Sequence, residues 1–117
     1  MDKILIKQRD IILIPFPFSD QTGQKVRPAL AISNDKFNQS SEDIVVCAIT
    51  SNLKHSKYSL IISQEDIESG ILYEKSLIKA ETIFKIKSML IIKRIAILNR
   101  TKFSEVISAI QELIKLS

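Results

Sequence analysis

Few side chains in this 117-residue sequence could carry chemistry. Arg27 follows a polar stretch and starts an apolar run, so its guanidinium belongs at the rim of a sheet. A planar fork there can meet a phosphate. A surface arginine paired with Asp20 or Asp35 is the plainer reading of position alone. Thr50-Ser51-Asn52 ends another apolar run with three small polar side chains. They could hydrogen-bond a phosphate or a base edge, or could serve only as strand-end turn chemistry. His55 is the only histidine, which excludes catalysis by a pair of histidines, and it reads as a solvated loop residue. Cys47 is the only cysteine and sits within Ile44-Val45-Val46-Cys47-Ala48-Ile49. It cannot form an intrachain disulfide and reads as a buried, inert thiol. No Cys/His cluster has metal-ligand spacing, and neither a phosphate-binding glycine loop nor a dinucleotide fingerprint is present.

The elements that must hold these residues follow from apolar periodicity. Residues 10–14 form an Ile-rich strand, after which Pro15 and Pro17 are expected to end regular pairing. Residues 19–24 read as a surface loop. Residues 27–33 read as a strand with Pro28 near its start, and 34–42 as a loop or short helical turn. Residues 43–50 are apolar through their middle and should form a central strand. Residues 58–62 make a further strand. Ser63 then looks like the N-cap of a short turn with acids following it, which Gly70 is placed to stop. From 76 to 87, Ile78, Ala80, Thr82, Phe84 and Ile86 alternate with Lys79, Glu81, Lys85 and Lys87, the pattern of a half-buried strand with its lysines on one face. Residues 91–98 give another strand. Phe103, Val106, Ile107, Ile110, Leu113 and Ile114 then form a helical stripe, with Thr101 as its expected N-cap. Strands followed by a helix predict one α+β domain, 1–117, built on a small curled sheet.

Apolar residues make up 45% of the chain, enough for a packed core. The net charge of +4 is mild but uneven. From Glu74 to Lys102 there are eight basic and two acidic side chains, leaving the remainder near −2. Such a segment could steer a polyanion, or could be a solvated strand face kept soluble by lysines. The first ten residues lack a signal-peptide core and no apolar run could span a bilayer, so a cytoplasmic protein without membrane contact is expected.

Three segments share one further property. Arg9-Asp10-Ile11-Ile12-Leu13-Ile14-Pro15-Phe16-Pro17-Phe18-Ser19-Asp20, Lys25-Val26-Arg27-Pro28-Ala29-Leu30-Ala31-Ile32-Ser33 and Ala48-Ile49-Thr50-Ser51-Asn52 resemble the MazF/PemK toxin family in order and spacing. The resemblance runs from about Arg9 to Leu116, is specific in the front half and rests mainly on pattern in the back half. It implies a small SH3-like β-barrel with short helices and a C-terminal amphipathic helix, assembled as a homodimer. It also implies the toxin of a type II toxin–antitoxin pair, silenced by a cognate antitoxin, that cleaves single-stranded RNA and meets DNA only through the antitoxin complex. The implied reaction needs no metal or cofactor: the RNA 2′-hydroxyl attacks the adjacent phosphate, giving a 2′,3′-cyclic phosphate and a 5′-hydroxyl. Arg27 and Thr50 match the family's active-site arginine and threonine. Glu81 is a candidate general base. Ser19, Lys25, Ser51, Asn52, Lys85 and Lys87 are candidate RNA contacts. One departure stands out, since Phe84 occupies a position where some members have arginine. The same fold also serves CcdB-type toxins, which bind gyrase without cutting RNA. A non-cleaving binding protein, including a homologue that has lost cleavage, is therefore the alternative.

Overall fold

The computed structural model describes residues 4–16 and 25–117. Seven strands are present: β1 (Asp10–Pro15), β2 (Val26–Ala31), β3 (Asp43–Thr50), β4 (Ser59–Ile62), β5 (Ile67–Gly70), β6 (Ser76–Lys87) and β7 (Lys93–Leu98). Two α-helices accompany them, α1 (Asp35–Ser40) and α2 (Arg100–Leu113). The strands form one antiparallel sheet in the order β4-β6-β3-β2-β1-β7-β5. The sheet curls into a half-barrel, so the expected SH3-like α+β architecture is present.

Both faces of the central strands are covered, which is why their sequences read as nearly continuous apolar runs. On one face Ile11, Leu30, Cys47, Ile49, Ile78 and Leu98 pack with Phe103 and Val106 of α2. On the other face Ile12, Ile14, Ala29, Ala31, Ile44, Val46 and Ile86 pack with Ile6 and Ile91. Strand β6 serves both cores. Cys47 lies opposite Ile83, yet the next residue, Ala48, lies opposite Lys79, so three residues of β6 bulge out of the ladder. An odd insertion reverses which way the following side chains point. Ile78 therefore faces the α2 core beside Ile49, while Ile86 faces the other core beside Ile44. The expectation of one shared lysine face fails for the same reason. Lys79 lies beside Ala48, whereas Lys85 and Lys87 lie beside Val45 and Asp43 on the opposite face.

Other departures have local causes. β5 was not expected, because Ile67-Glu68-Ser69-Gly70 carries one apolar residue and forms only by pairing with β7. Gly70 does not stop the preceding turn. It has φ +89°, and a Cβ there would stand 2.3 Å from the Ile95 carbonyl oxygen, so its role is close strand contact. Pro15 still pairs, opposite Val26, and the Phe16 amide donates to the Lys25 carbonyl at 2.8 Å. The N-cap of α2 is Asn99, whose side chain accepts from the Lys102 amide at 2.8 Å, rather than Thr101. Its stripe buries Phe103 and Val106 but leaves Ile107 and Ile114 exposed. Cys47 is fully buried, and burial, reinforced by the Glu81 charge, pushes its thiol up to about 12, so it is inert as expected.

The N-terminal segment that covers the second core is tied down by a buried charge. Asp10 is 1% exposed and accepts from the Lys7 amide at 2.8 Å and from Arg94 Nη1 at 2.9 Å. The same Arg94 nitrogen also donates to the Leu5 carbonyl. Removing the cation from a buried pair leaves an uncompensated carboxylate. Arg94 is itself 42% exposed, so water can partly replace it. Arg94→Met should therefore cost about 2–3 kcal/mol by urea unfolding, below the ~3–5 kcal/mol of a fully buried pair. Adding Asp10→Asn should recover part of the loss, and a double variant as unstable as the sum of the singles would contradict this account.

Candidate active site

The geometry of the rim follows from main-chain directions in β2. The Ala31 carbonyl accepts from the Arg9 amide on the β1 side at 3.0 Å. The Ile32 amide donates to Val45 on the β3 side at 2.9 Å. These directions alternate along a strand, so position 28, like 32, turns its main-chain groups toward β3. Proline has no N–H to offer there. Pairing of β2 with β3 accordingly runs from Ala31↔Val46 to Ala29↔Ala48 and goes no further toward the rim, while pairing with β1 continues to Pro15↔Val26. Two residues beyond the last pair, the same register sets Arg27 opposite Thr50. The two side chains thus share one face across the parted strand ends.

A cleft of about 580 Å³ opens at this point. Lys25, Arg27, Thr50, Ser51, Tyr73 and Glu74 line it, above Ile49, Leu72 and Ile95. Arg27 is half-buried, and its Nε is buried without a hydrogen-bond partner. No acid neutralises it among the described residues. Its guanidinium carbon lies 5.2 Å from the centre of the Phe16 ring, a cation–π contact. Phe16 in turn meets Phe84 edge to face, with centres 6.1 Å apart and planes at 85°. Phe84 is a prop beneath the ring that supports Arg27. Thr50 Oγ1 accepts from the Asn52 amide at 3.1 Å, and no acceptor for its own proton is described. An arginine that no described acid neutralises and a threonine whose hydroxyl proton has no described acceptor, both lining one cleft, suit a phosphate.

The structure brings together four of the sequence-derived site residues, Arg27, Thr50, Lys25 and Ser51. Asn52 is exposed beyond the cleft and caps the following turn, its Oδ1 accepting from the Lys54 amide. Glu81 sits on the β6 bulge, accepts from Ser56 Oγ at 2.8 Å, and does not line the cleft. Lys85 lies 3.7 Å from Asp43. With Lys87 it occupies the opposite end of the β3–β6 pair from Thr50, roughly 20 Å away at ~3.3 Å per residue. Ser19 lies outside the described residues. His55 is exposed, with Nδ1 3.5 Å from Ser59 Oγ. Sequence reasoning missed Phe16, Phe84, Tyr73 and Glu74 as site residues. Among the described residues no group of three His, Cys, Asp or Glu side chains could hold a metal ion. Among the same residues no helix is long and apolar enough to cross a membrane.

Comparison with known proteins bears on the family and the fold. Residues 7–114 match the family model described as PemK-like, MazF-like toxin of type II toxin-antitoxin system. No curated protein matches significantly. Among solved structures, the Deinococcus radiodurans MazE-MazF complex (Form-III) superposes with a TM-score of 0.78 at 18% identity, covering 97% of this chain and 100% of that one. A mycobacterial endoribonuclease in complex with its cognate antitoxin gives 0.78 at 12% identity, covering 96% and 97%. The Mycobacterium tuberculosis toxin MazF-mt6 gives 0.75 at 16% identity, covering 93% and 99%.

If the missing N–H at position 28 keeps the rim open, supplying one should extend the ladder. Pro28→Ala should fold, and its residue 28 amide should exchange slowly with solvent because it reaches β3. A residue 28 amide exchanging as fast as an exposed loop amide would show that something other than the proline parts the strands.

Proposed function

This chain belongs to the PemK-like, MazF-like toxin family of type II toxin–antitoxin systems, and we propose that it acts as an endoribonuclease on single-stranded RNA. The observation that carries the reading is that Arg27 and Thr50 line one cleft, with no acid neutralising the arginine among the described residues. In the proposed reaction the 2′-oxygen forms a bond to the adjacent phosphorus and the bond to the 5′-oxygen breaks. A 2′,3′-cyclic phosphate and a 5′-hydroxyl result, the leaving 5′-oxygen taking its proton from a water at the open cleft. Arg27 stabilises the charge that builds on the phosphoryl oxygens. The aromatic prop lets it do so from a fixed position, and such preorganisation is where electrostatic catalysis gains most. Arginine barely titrates, so charge stabilisation is the easier role for it than proton donation. Thr50 donates its hydroxyl to the phosphate and holds it in line.

The attacking hydroxyl must lose its proton. Glu74 lines the cleft, and we assign it the general-base role that the sequence suggested for Glu81. Lys25 and Ser51 lie where they could guide the RNA backbone. Lys85 and Lys87 are far from the cleft, which favours a surface role for them over an RNA path. A cognate antitoxin and a second copy of the chain are the proposed protein partners. Leu5, Met89, Leu90 and Ile92 are all exposed, which supports a protein contact at this apolar surface.

Arg27→Ala and Thr50→Ala should fold normally and each lose roughly 10²–10³ in cleavage rate, the typical cost of one oxyanion-stabilising donor. Glu74→Gln should lower kcat where Glu81→Gln does not. Cleavage of a long RNA in excess EDTA, with cyclic-phosphate product ends, is the expected result for the wild type. A well-folded Arg27→Ala protein that cleaves at the wild-type rate would overturn the assignment. The binding-protein alternative predicts no cleavage by any variant.

A further inference from the structure

Tyr73 is 80% exposed although it lines the same cleft as Arg27 and Thr50. No hydrogen bond or ring contact holds its side chain among the described residues. Its backbone, by contrast, is fixed on both sides. The side-chain oxygen of Gln64 accepts from the Leu72 amide at 2.8 Å, and its amide group donates to the Gly70 carbonyl at 3.1 Å. The Ile71 amide donates to Ile95 at 3.2 Å, and Leu72 is buried. On the other side Ser76, 3% exposed, donates to the Glu74 carbonyl at 3.0 Å. A large ring held out on an anchored segment, beside a phosphate-suited pair, is unexplained by packing.

We propose that Tyr73 is the stacking platform for an unpaired nucleobase of single-stranded RNA next to the phosphate held by Arg27 and Thr50. The inference rests on the ribonuclease reading above and deepens it. Single-stranded RNA offers one unstacked base for each phosphate, and proteins receive such bases on aromatic faces. The cleft volume falls within the ~300–1,000 Å³ typical of small-molecule sites. That leaves room for a nucleoside as well as its phosphate. Stacking tolerates any base, so Tyr73 supplies grip and orientation rather than a choice of base. Because the backbone is already ordered, little entropy is lost when the base arrives.

The chain contains no tryptophan, which gives a direct probe. The probe RNA is an oligonucleotide with 2′-O-methyl groups throughout, which cannot be cleaved by its own 2′-oxygen. Binding it should quench the fluorescence of Tyr73→Trp. Tyr73→Ala should bind it about ten-fold or more weakly, the scale of one lost base stack, and Tyr73→Phe should bind as the wild type does. In cleavage of a long RNA, the alanine variant should show its defect mainly in KM. An unquenched tryptophan, or an alanine variant with wild-type affinity, in protein that still cleaves RNA would overturn the stacking role and leave the ribonuclease standing. Tyr73 would then face another partner, such as a protein. A wild type that neither binds nor cleaves RNA would overturn the reading beneath and this inference with it.

Discussion

Pro28 turns an absent main-chain donor toward β3, and the parting of β2 from β3 at that point is the constraint on which the rim depends. Had the ladder run on, Arg27 and Thr50 would have been neighbours in a closed sheet with no space between them for a ligand. Because β2 stays paired to β1 as far as Val26, the separation is one-sided. The sheet remains intact where the cores need it, and a cleft opens only at the end. The residue that begins the site and the residue that makes room for it are thus consecutive, Arg27 and Pro28.

The environment of Arg27 explains how a permanent cation can be kept available. An acid beside it would hold it in place and also neutralise it. Among the described residues aromatic rings hold it instead, Phe16 against the guanidinium and Phe84 against Phe16. Ring faces attract a cation without supplying a competing negative charge, so the guanidinium stays available to an anion. The phenylalanine at position 84 is therefore consistent with a working site, since it supports the arginine already present at 27.

The frame of the fold was largely readable in the sequence. β3 and β6 have the boundaries that periodicity gives, and the C-terminal stripe is a helix. Arg27 and Thr50 were singled out by the family resemblance, since position alone favoured a paired surface arginine and simple strand-end turn chemistry. What was not legible depended on pairing between distant segments. β5 has almost no intrinsic signal and exists because β7 lies beside it. The β6 bulge leaves little mark on the sequence beyond Ile83, an apolar residue in the polar phase, and the alternation on either side placed the three lysines on a single face. Glu81 shares β6 with residues near the cleft, yet it lies on the bulge and bonds to Ser56 instead. Tyr73 and Glu74 came to the cleft through the path of the β5–β6 connection, which no local rule foretells.

The bulge in β6 has a consequence for how this strand can change. Its two halves are out of phase, so Ile78 and Ile86, an even number of residues apart, fill different cores. Strand length here is governed by parity. A deletion of one bulge residue would not merely tighten a loop, because it would invert every side chain on one side of it, moving Ile86 and Phe84 outward or Ile78 away from Ile49. A deletion of two would keep both cores filled. Insertions and deletions at the bulge should therefore be tolerated in pairs and not singly, as if this stretch of backbone had a reading frame of two.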